Sequence, residues 1–264
     1  MNIASSSQEA SKPDRKVVEL DSSLARMLAT LRLFTRDEPV LSAEEIARRV
    51  GVPVSTAYRY VKQLASAGLL VRWKGGYTLG PRIIELDLQI RECDPVISAA
   101  AAPMRDIAAR SGLDVLLTKL YGATVMTIHI EGNDPKPLLN YGRGRPLPLF
   151  RGSSSKAITA HLPAAKLRRL FEEEQARAPA SAEADWQAFQ QTVSKIRRQG
   201  WCITRGELNS GIEGISAPVF LEGRQVVGSI TLLRDAARKA LLGEAELVEL
   251  VKSGAAAVTG RLQG

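Results

Sequence analysis

Two short helical patterns on either side of a sharp break constrain this sequence more than any other feature. Ser42-Ala-Glu-Glu45 is a capping box, in which the Ser42 side chain satisfies one orphan amide and Glu45 reaches back to another. The helix that it opens ends at Gly51-Val52-Pro53, because glycine permits a left-handed backbone and proline disfavours continuation. A second helix follows from Val54. A short helix, a tight turn and a second helix in this order predict a helix-turn-helix.

The second helix has an apolar side and a polar side. The apolar side, suited to packing on the preceding helices, carries Ala57, Val61, Leu64 and Gly68. On the polar side, Arg59 is suited to a base or a phosphate because a guanidinium bridges two acceptors, and Ser55 and Thr56 suit hydrogen bonds to DNA. Next, two β-prone runs around Gly75-Gly76 predict a hairpin with Lys74 at its tip, which is the wing of a winged helix. The predicted DNA-binding residues are Ser42, Ser55, Thr56, Tyr58, Arg59, Lys62, Arg72 and Lys74.

The charge distribution favours an anionic partner for this segment. The chain has 36 Lys and Arg against 28 Asp and Glu, a formal net charge of +8. No Asp or Glu occurs between Arg48 and Ile84, whereas a solvated surface normally interleaves both signs. The basic residues of this stretch are Arg48, Arg49, Arg59, Lys62, Arg72, Lys74 and Arg82. Because each neutralised phosphate releases a counterion, this segment predicts a surface for double-stranded DNA.

Each part of this pattern also has a simpler interpretation. Ser55 and Thr56 can serve only as helix caps, and Gly75-Gly76 can be a turn without a partner. Arg59 and Lys62 can be solvated. The weaker explanation is that all of these simpler interpretations hold at once within a single segment that contains no acidic residue.

Length and composition indicate two domains. With 264 residues, 45% of them apolar and 24% charged, the chain is long enough for two packed cores. The expected layout is a disordered leader over 1–20, a winged helix-turn-helix over 21–80, a linker helix over 81–94 and a larger domain over 95–264. The leader lacks the pattern of a secretion signal and no apolar run is long enough to span a bilayer, so no membrane partner is expected. With Cys93 and Cys202 as the only cysteines, the expected setting is the reducing cytoplasm.

The rest of the chain alternates helical and strand-like patterns. Helices are predicted over 96–111, 153–161, 164–174, 184–199 and 243–262, and strands over 114–121, 123–130, 138–141, 201–204, 214–220 and 225–233. The last two strands form a hairpin through Leu221-Glu222-Gly223-Arg224. The fold class is therefore α+β: an N-terminal winged helix-turn-helix, a linker helix, and an antiparallel sheet with flanking helices.

Several stretches resemble the IclR family of bacterial transcriptional regulators. They are LSAEEIARRVGVPVSTAYRYVKQLASAGLL, YTLGPRIIEL, the Gly-Arg-Pro-Leu stretch at 144–147, the Ser-Lys-Ala helix start at 155–157, IRRQGWCITRGELNSGIEGISAPVF and VVGSITL. The resemblance covers nearly all of 24–262. It implies a GAF-like effector-binding domain and a regulator that binds operator DNA as a dimer or a dimer of dimers, pairing through the DNA-binding half and the linker. From the residues alone, the apolar positions of the linker equally fit a helix packed on its own C-terminal domain.

A small-molecule site is expected at the start of the helix near Ser153. Gly152-Ser-Ser-Ser155 indicates an anion cradle of free amides, a helix dipole and three hydroxyls, which suits a carboxylate; the alternative is that Ser153 only caps the helix. The family's effector pocket, carried over to this sequence, draws on Ser153, Ser154, Thr204, Gly214 and Thr231. The full candidate set adds Phe150, Ser155, Ile215 and Leu233.

The chain departs from the family pattern at this predicted pocket. Relatives of the family that bind small oxoacids often have Cys at the position of Gly214 and Ser at that of Leu233. Together with Phe150, these departures predict a roomier and more apolar pocket. We therefore expect a ligand larger than a two- or three-carbon acid, such as an aromatic or cyclic carboxylate.

The sequence argues against an enzyme. His129 and His161 are the only histidines, and no Cys/His cluster has metal-ligand spacing, so neither a metal nor a cofactor is predicted. GRGRP is neither a nucleophile elbow nor a phosphate loop. The competing hypotheses are a DNA-binding protein without a ligand, and a hydrolase with Ser154 or Ser155 as its nucleophile.

Overall fold

The computed structural model of the protein describes residues 22–132, 142–177, 186–235 and 240–263. The predicted leader and the predicted strand over 138–141 lie outside these residues. The chain divides into two compact units, Met1–Ile90 and Arg91–Gly264.

The first unit contains the predicted helix-turn-helix and wing. Its helices are α1 (Ser23–Ala29), a 3₁₀ helix (Thr30–Leu33), α2 (Ala43–Val50) and α3 (Val54–Ser66), and its strands are β1 (Leu70–Trp73) and β2 (Gly76–Leu79). α4 (Pro81–Cys93) is the predicted linker helix, and it carries the chain across the boundary between the units. α2 begins at the Ser42 cap, whose hydroxyl accepts the Glu45 amide, and ends at Gly51.

The apolar sides of α2 and α3 close the core of this unit. The buried side chains include Leu41, Ile46, Ala47, Val50, Ala57, Val61, Leu64 and Leu70. On α2 and α3 they recur every three or four residues, the spacing that places them on one face of a helix. Tyr60 is also buried, and its hydroxyl lies 3.0 Å from Ser23 Oγ, which joins α3 to α1.

The turn of the wing lies one residue earlier than the glycine pair predicts. Lys74, with a φ of 47°, and Gly75, with a φ of 82°, form its centre, as in a type I′ hairpin. Gly76 already pairs with Trp73 in the strand ladder. A Cβ at Gly76 would lie 2.7 Å from the carbonyl oxygen of Leu41, so glycine is required there by close packing and not by the turn.

The second unit is an antiparallel sheet with helices on both faces. Its helices are α5 (Pro95–Ser111), α6 (Ser153–Thr159), α7 (Ala164–Arg177), α8 (Trp186–Gln199) and α9 (Glu244–Arg261). Its strands are β3 (Asp114–Tyr121), β4 (Thr124–Glu131), β5 (Pro146–Leu147), β6 (Cys202–Arg205), β7 (Ile212–Leu221) and β8 (Gln225–Asp235). The strand order is β5-β4-β3-β8-β7-β6, with every neighbouring pair antiparallel. The α+β prediction is confirmed, and the two-residue strand β5 is an addition to it.

Successive side chains along a strand of the sheet pack into two different cores. The core with α5 and α9 includes Val115, Leu117, Ile215, Ile230 and Val251. The core beneath α6, α7 and α8 includes Leu116, Phe150, Ile158, Phe189 and Leu233. This division follows from the strand itself, because neighbouring side chains point to opposite faces of a sheet.

Candidate DNA-binding surface and effector site

The exposed side of α3 presents a stripe of four polar residues. They follow the i, i+3, i+4, i+7 spacing of one helix face and are Ser55, Tyr58, Arg59 and Lys62. On the opposite side, Ala57 and Val61 are fully buried and fix the helix on the core. Thr56 is half-buried at the start of the helix. A fixed helix with one accessible polar face is the form that enters a DNA major groove.

The wing adds two exposed cations and an aromatic side chain. Arg72 lies on β1 and Lys74 in the turn, and both are exposed. Trp73 between them is 56% exposed. Nothing in the sequence distinguishes Trp73 as a surface residue, because tryptophan side chains are on average highly buried.

The basic segment is less uniform than its sequence suggests. Arg48 and Arg49 both pair with the carboxylate of Glu45, and their hydrogen bonds lower the pKa of Glu45 to about 2. Only the Ser42 half of the predicted capping box is therefore observed, since the Glu45 side chain faces these arginines. Arg82 pairs with Glu85 at 2.6 Å. The cations of the segment that form no ion pair within the described residues are Arg59, Lys62, Arg72 and Lys74.

One acidic residue stands beside the α3 stripe. The hydroxyl of Tyr58 donates to Glu44 Oε1 at 2.7 Å and links α3 to the first turn of α2. This hydrogen bond lowers the pKa of Glu44 and raises the pKa of Tyr58. Both side chains are exposed, so an ionised carboxylate lies on an otherwise basic surface. The two residues are 14 positions apart, and no sequence pattern joins them.

In the second unit, α6 lies on a group of buried hydroxyls that we call the hydroxyl cluster. Its members are Thr118, Ser153, Ser154, Ser216, Ser229 and Thr231, all of them buried. Ser154 Oγ lies 2.8 Å from Thr231 Oγ1, which lies 2.7 Å from Ser216 Oγ. Ser216 in turn donates to Ser153 Oγ at 2.7 Å. These bonds hold the first turn of α6 against β7 and β8.

The cluster continues along the sheet. Ser229 Oγ donates to the carbonyl oxygen of Ser154, and it lies 2.7 Å from Thr118 Oγ1 on β3. Two further buried hydroxyls, Ser155 Oγ on α6 and Thr127 Oγ1 on β4, have no hydrogen-bond partner within the described residues. A buried hydroxyl without a partner costs about 1–3 kcal/mol, so each of these two groups lowers the stability of the fold.

Two of the amides at the start of α6 are not free, which corrects this part of the predicted anion cradle. The Gly152 amide donates to Glu207 Oε2 at 2.9 Å, and the Ser153 amide donates to Thr204 Oγ1 at 3.0 Å. Lys156 Nζ binds the other carboxylate oxygen of Glu207 at 2.7 Å. The protein's own carboxylate therefore occupies the position predicted for that of a ligand. Glu207 is 51 residues from Lys156, so no local pattern revealed this contact.

The extra space expected from the sequence departures is not observed among these residues. A Cβ at Gly214 would lie 2.3 Å from Ser153 Oγ, so the Ser153 side chain fills the space that a larger residue would take. The Phe150 ring packs edge-on against Phe171 and Phe189, with centroids 5.4 and 5.2 Å away. Phe150 thus contributes to the core beneath α6.

The remaining candidates divide between the two faces of the sheet. Leu233 is buried in the core beneath α6, on the same face as the hydroxyl cluster. Ile215 packs in the core with α5 and α9, because it neighbours Ser216 on β7 and therefore points the other way. Ile215 therefore faces away from the hydroxyl cluster.

A pocket of about 380 Å³ opens beside β6, which is an edge strand of the sheet. Lys156, Thr204 and Glu207 line it, and the Thr204 hydroxyl accepts the amide of Ser153, a member of the hydroxyl cluster. Lys195 of α8 and Trp201 form other parts of its wall. The pocket is large enough for a small organic ligand.

The described residues do not form the catalytic arrangement that the hydrolase hypothesis needs. No hydrogen bond joins either histidine to Ser154 or Ser155: His129 Nε2 lies 3.0 Å from a Glu131 oxygen, and burial lowers the pKa of His161. Within the same residues there is no group of three His, Cys, Asp or Glu side chains that could hold a metal ion. None of the described helices is long and apolar enough to cross a membrane.

A recognition helix with a wing in one unit, and a ligand-sized pocket beside buried polar groups in the other, define a DNA-binding regulator with a sensory domain. Residues 91–259 match the family described as bacterial transcriptional regulator IclR C-terminal, and residues 23–72 match the IclR helix-turn-helix domain. The chain belongs to the IclR family of bacterial transcriptional regulators.

Individual relatives agree with this assignment. The glycerol operon regulatory protein of Streptomyces griseus is 27% identical over 243 residues, which cover 90% of this chain and 94% of that protein. The crystal structure of an IclR regulator from Alicyclobacillus acidocaldarius has a TM-score of 0.76 at 23% identity, covering 91% of this chain and 98% of that one. An IclR homologue from Microbacterium hydrocarbonoxydans, solved in complex with 4-hydroxybenzoate, has a TM-score of 0.76 at 22% identity, covering 92% and 99%. The family and these relatives are regulators, which confirms that the chain is not an enzyme.

Proposed function

We propose that this regulator binds operator DNA as a dimer or a dimer of dimers, and that a small aromatic or cyclic carboxylate bound in the second unit changes its affinity for the operator. It would act in the cytoplasm, where a bacterial chromosome lies. The observation that carries the proposal is the pairing of two sites in one chain: an exposed basic recognition surface and a pocket beside the hydroxyl cluster.

The DNA half of the proposal rests on α3 and the wing. In the major groove, Arg59 would reach base edges, while Ser55 and Lys62 would contact phosphates. Arg72 and Lys74 of the wing would meet the neighbouring backbone. The support is that these cations are exposed and free of ion pairs with the described residues.

The ligand half rests on the hydroxyl cluster. Ser216 donates to Ser153, so the chain of hydrogen bonds leaves the Ser153 hydroxyl proton for another acceptor. A carboxylate or phenol oxygen that reaches Ser153 past Thr204, in the wall of the pocket beside β6, would accept that proton. The homologue solved with 4-hydroxybenzoate supports an aromatic carboxylate of this kind.

Dimerisation is proposed from the apolar residues that α4 exposes. They are Ile84, Leu86, Leu88 and Ile90, and Ile84 is 74% exposed. No residue of α4 is buried, so a second copy would remove these side chains from water. Two recognition helices in such a dimer would read half-sites about one helical turn of DNA apart. Since α4 is continuous with both units, a ligand-induced movement in the second unit could change that spacing.

Two measurements test the proposal. Selection of random duplexes by the purified protein should yield a consensus with two half-sites; absence of any enriched sequence contradicts the operator claim. A thermal-shift screen with benzoate, 4-hydroxybenzoate, cyclohexanecarboxylate, glyoxylate and pyruvate should show stabilisation by the ring-containing acids. Stabilisation by glyoxylate and pyruvate alone rejects the ligand class, and stabilisation by none favours a DNA-binding protein without a ligand.

A further inference from the structure

Lys156 is a buried cation whose counter-charge comes from a more accessible segment. Its side chain is 7% exposed, and the next two residues, Ala157 and Ile158, are fully buried. Glu207, its partner at 2.7 Å, is 32% exposed and lies between β6 and β7. A buried ammonium needs a counter-charge, because desolvation of an isolated charge is costly. The ammonium is therefore fixed in the structure, whereas the carboxylate that neutralises it can be reached by solvent.

The pocket beside β6 brings both groups to one accessible cavity. Lys156 and Glu207 line it together with Lys195, an exposed cation that forms no ion pair with any described residue. The two other charged residues of the wall, Arg205 and Glu244, pair with each other. Lys195 is therefore the cation of the wall that has no carboxylate partner among the described residues, which favours an anion.

We infer that Lys156 anchors the carboxylate of the effector, and that Glu207 is the resident carboxylate that the effector displaces. The inference rests on the proposed function, since it takes the effector to be a carboxylate. The exchange conserves charge: one carboxylate leaves Lys156 Nζ as another arrives, so the buried ammonium always has a counter-charge. Displacement also breaks the bond from the Gly152 amide to Glu207, which is one of the contacts between α6 and the segment that joins β6 to β7.

The test compares ligand affinity when the resident carboxylate is made neutral. Glu207→Gln keeps the shape of the side chain and removes its charge, so an incoming carboxylate meets a weaker competitor. We expect benzoate, 4-hydroxybenzoate or cyclohexanecarboxylate to bind this variant about tenfold more tightly than the natural protein, because a charge-assisted hydrogen bond is replaced by a neutral one. Affinity for benzamide, which has no charge, should not change. Isothermal titration gives the affinities, and fluorescence of Trp201 in the pocket wall reports occupancy.

Two further variants complete the design. Lys156→Gln combined with Glu207→Gln replaces the ion pair by two neutral amides, and it should lose the gain that Glu207→Gln alone produces. Glu172→Gln removes a carboxylate from an exposed pair with Arg168 on α7 and should bind ligands like the natural protein. The Glu207→Gln comparison decides the question even if the double variant does not fold.

The outcomes separate this inference from the proposed function. Equal carboxylate affinity in the natural protein and in Glu207→Gln overturns the role of Lys156 and Glu207 but leaves the carboxylate effector standing. Carboxylate binding that persists in a folded double variant overturns the anchoring role in the same way. If none of the three carboxylates binds to either protein, the inference and the proposed ligand class both fail.

Discussion

At the scale of single residues, the proposed role of Arg59 in reading bases gives the first prediction. It lies in the middle of the exposed α3 stripe and forms no ion pair with the described residues. We expect Arg59→Ala to weaken binding to a selected operator by about 1–3 kcal/mol, because alanine cannot make the bidentate hydrogen bonds of a guanidinium to a base. Anisotropy titrations with the operator measure this. Arg110→Ala removes an exposed arginine from α5 instead and is the charge-matched control; equal weakening in both variants means that only net charge was sensed.

Glu44 gives a second prediction at this scale, of opposite sign. Its carboxylate, held by Tyr58, lies on the recognition surface and would repel phosphates. Glu44→Gln should raise affinity for random-sequence duplex by roughly two- to fivefold at low salt and should lower the ratio of specific to non-specific binding. Competition assays with random duplex measure both quantities. Unchanged non-specific affinity would show that Glu44 does not face the DNA.

A site residue could be predicted from the sequence when its partners lie close to it along the chain, and not when they lie far away. Ser55, Arg59 and Lys62 share one helix, so a period of 3.6 residues is enough to place them on one face. Glu44 and Glu207 act through partners on other elements, and only tertiary structure brings these together. The prediction that the Gly152 and Ser153 amides are free was wrong for this reason, since local sequence cannot show that Glu207 and Thr204 already accept them.

At the scale of secondary structure, the wing depends on close packing at Gly76. A Cβ there would meet the Leu41 carbonyl oxygen at 2.7 Å and Val40 Cγ1 at 2.9 Å. Gly76→Ala should therefore displace the segment paired with β2 and destabilise the first unit by about 1–3 kcal/mol. Thermal unfolding followed by circular dichroism measures the change.

A neighbouring glycine provides the control for this prediction. Gly75 has open space around its α carbon but a φ of 82°, which Asn tolerates better than most residues. Gly75→Asn should leave stability almost unchanged. If both variants unfold at the same temperature as the natural protein, packing at Gly76 is not what positions the wing.

The elements and the hairpins β1-β2 and β7-β8 could largely be predicted, whereas the pairing of strands far apart in sequence could not. The caps at Ser42 and Gly51 and the alternation of the strands depend on neighbouring residues, so the bounds of α2, β3 and β8 follow closely from the sequence. The order β5-β4-β3-β8-β7-β6 depends on pairing between residues more than 100 positions apart, such as Thr118 and Ser229. The two-residue strand β5 is too short to give a periodic signal.

At the scale of the whole molecule, the proposed dimer predicts a specific sensitivity of α4. Ile84 and Leu88 are one helical turn apart and 74% and 52% exposed, so charges there should not disturb the fold of one chain. Ile84→Glu combined with Leu88→Glu should shift the protein from dimer to monomer and weaken operator binding, because burying two carboxylates in an interface is costly. Light scattering after size-exclusion chromatography measures the mass. Gln89→Glu on the same helix should remain dimeric, and a dimer that survives the double substitution places the interface elsewhere.

The α+β class and the division into a winged helix and a sheet domain could be predicted at this scale. The spacing of the apolar residues changes along the chain between the period of a helix and that of a strand. The lack of extra space near Gly214 and Phe150 could not be predicted. The departures from the family pattern do not show that the side chains of Ser153 and Phe189 fill this space. A packed core is decided by all of its side chains together.

The salt dependence of duplex binding tests the central claim, that α3 and the wing form a phosphate-facing surface, most directly. Affinity for a labelled random-sequence duplex should fall steeply with KCl concentration. In the triple variant Arg59→Ala, Lys62→Ala, Lys74→Ala, the slope of the log–log plot should become shallower by about 0.9 for each phosphate that the variant no longer neutralises. The control triple Arg110→Ala, Arg168→Ala, Arg169→Ala removes exposed arginines of the second unit, each paired with a carboxylate, and should keep the natural slope. An affinity that does not respond to salt, or equal slopes in the natural protein and the first triple variant, would contradict the account.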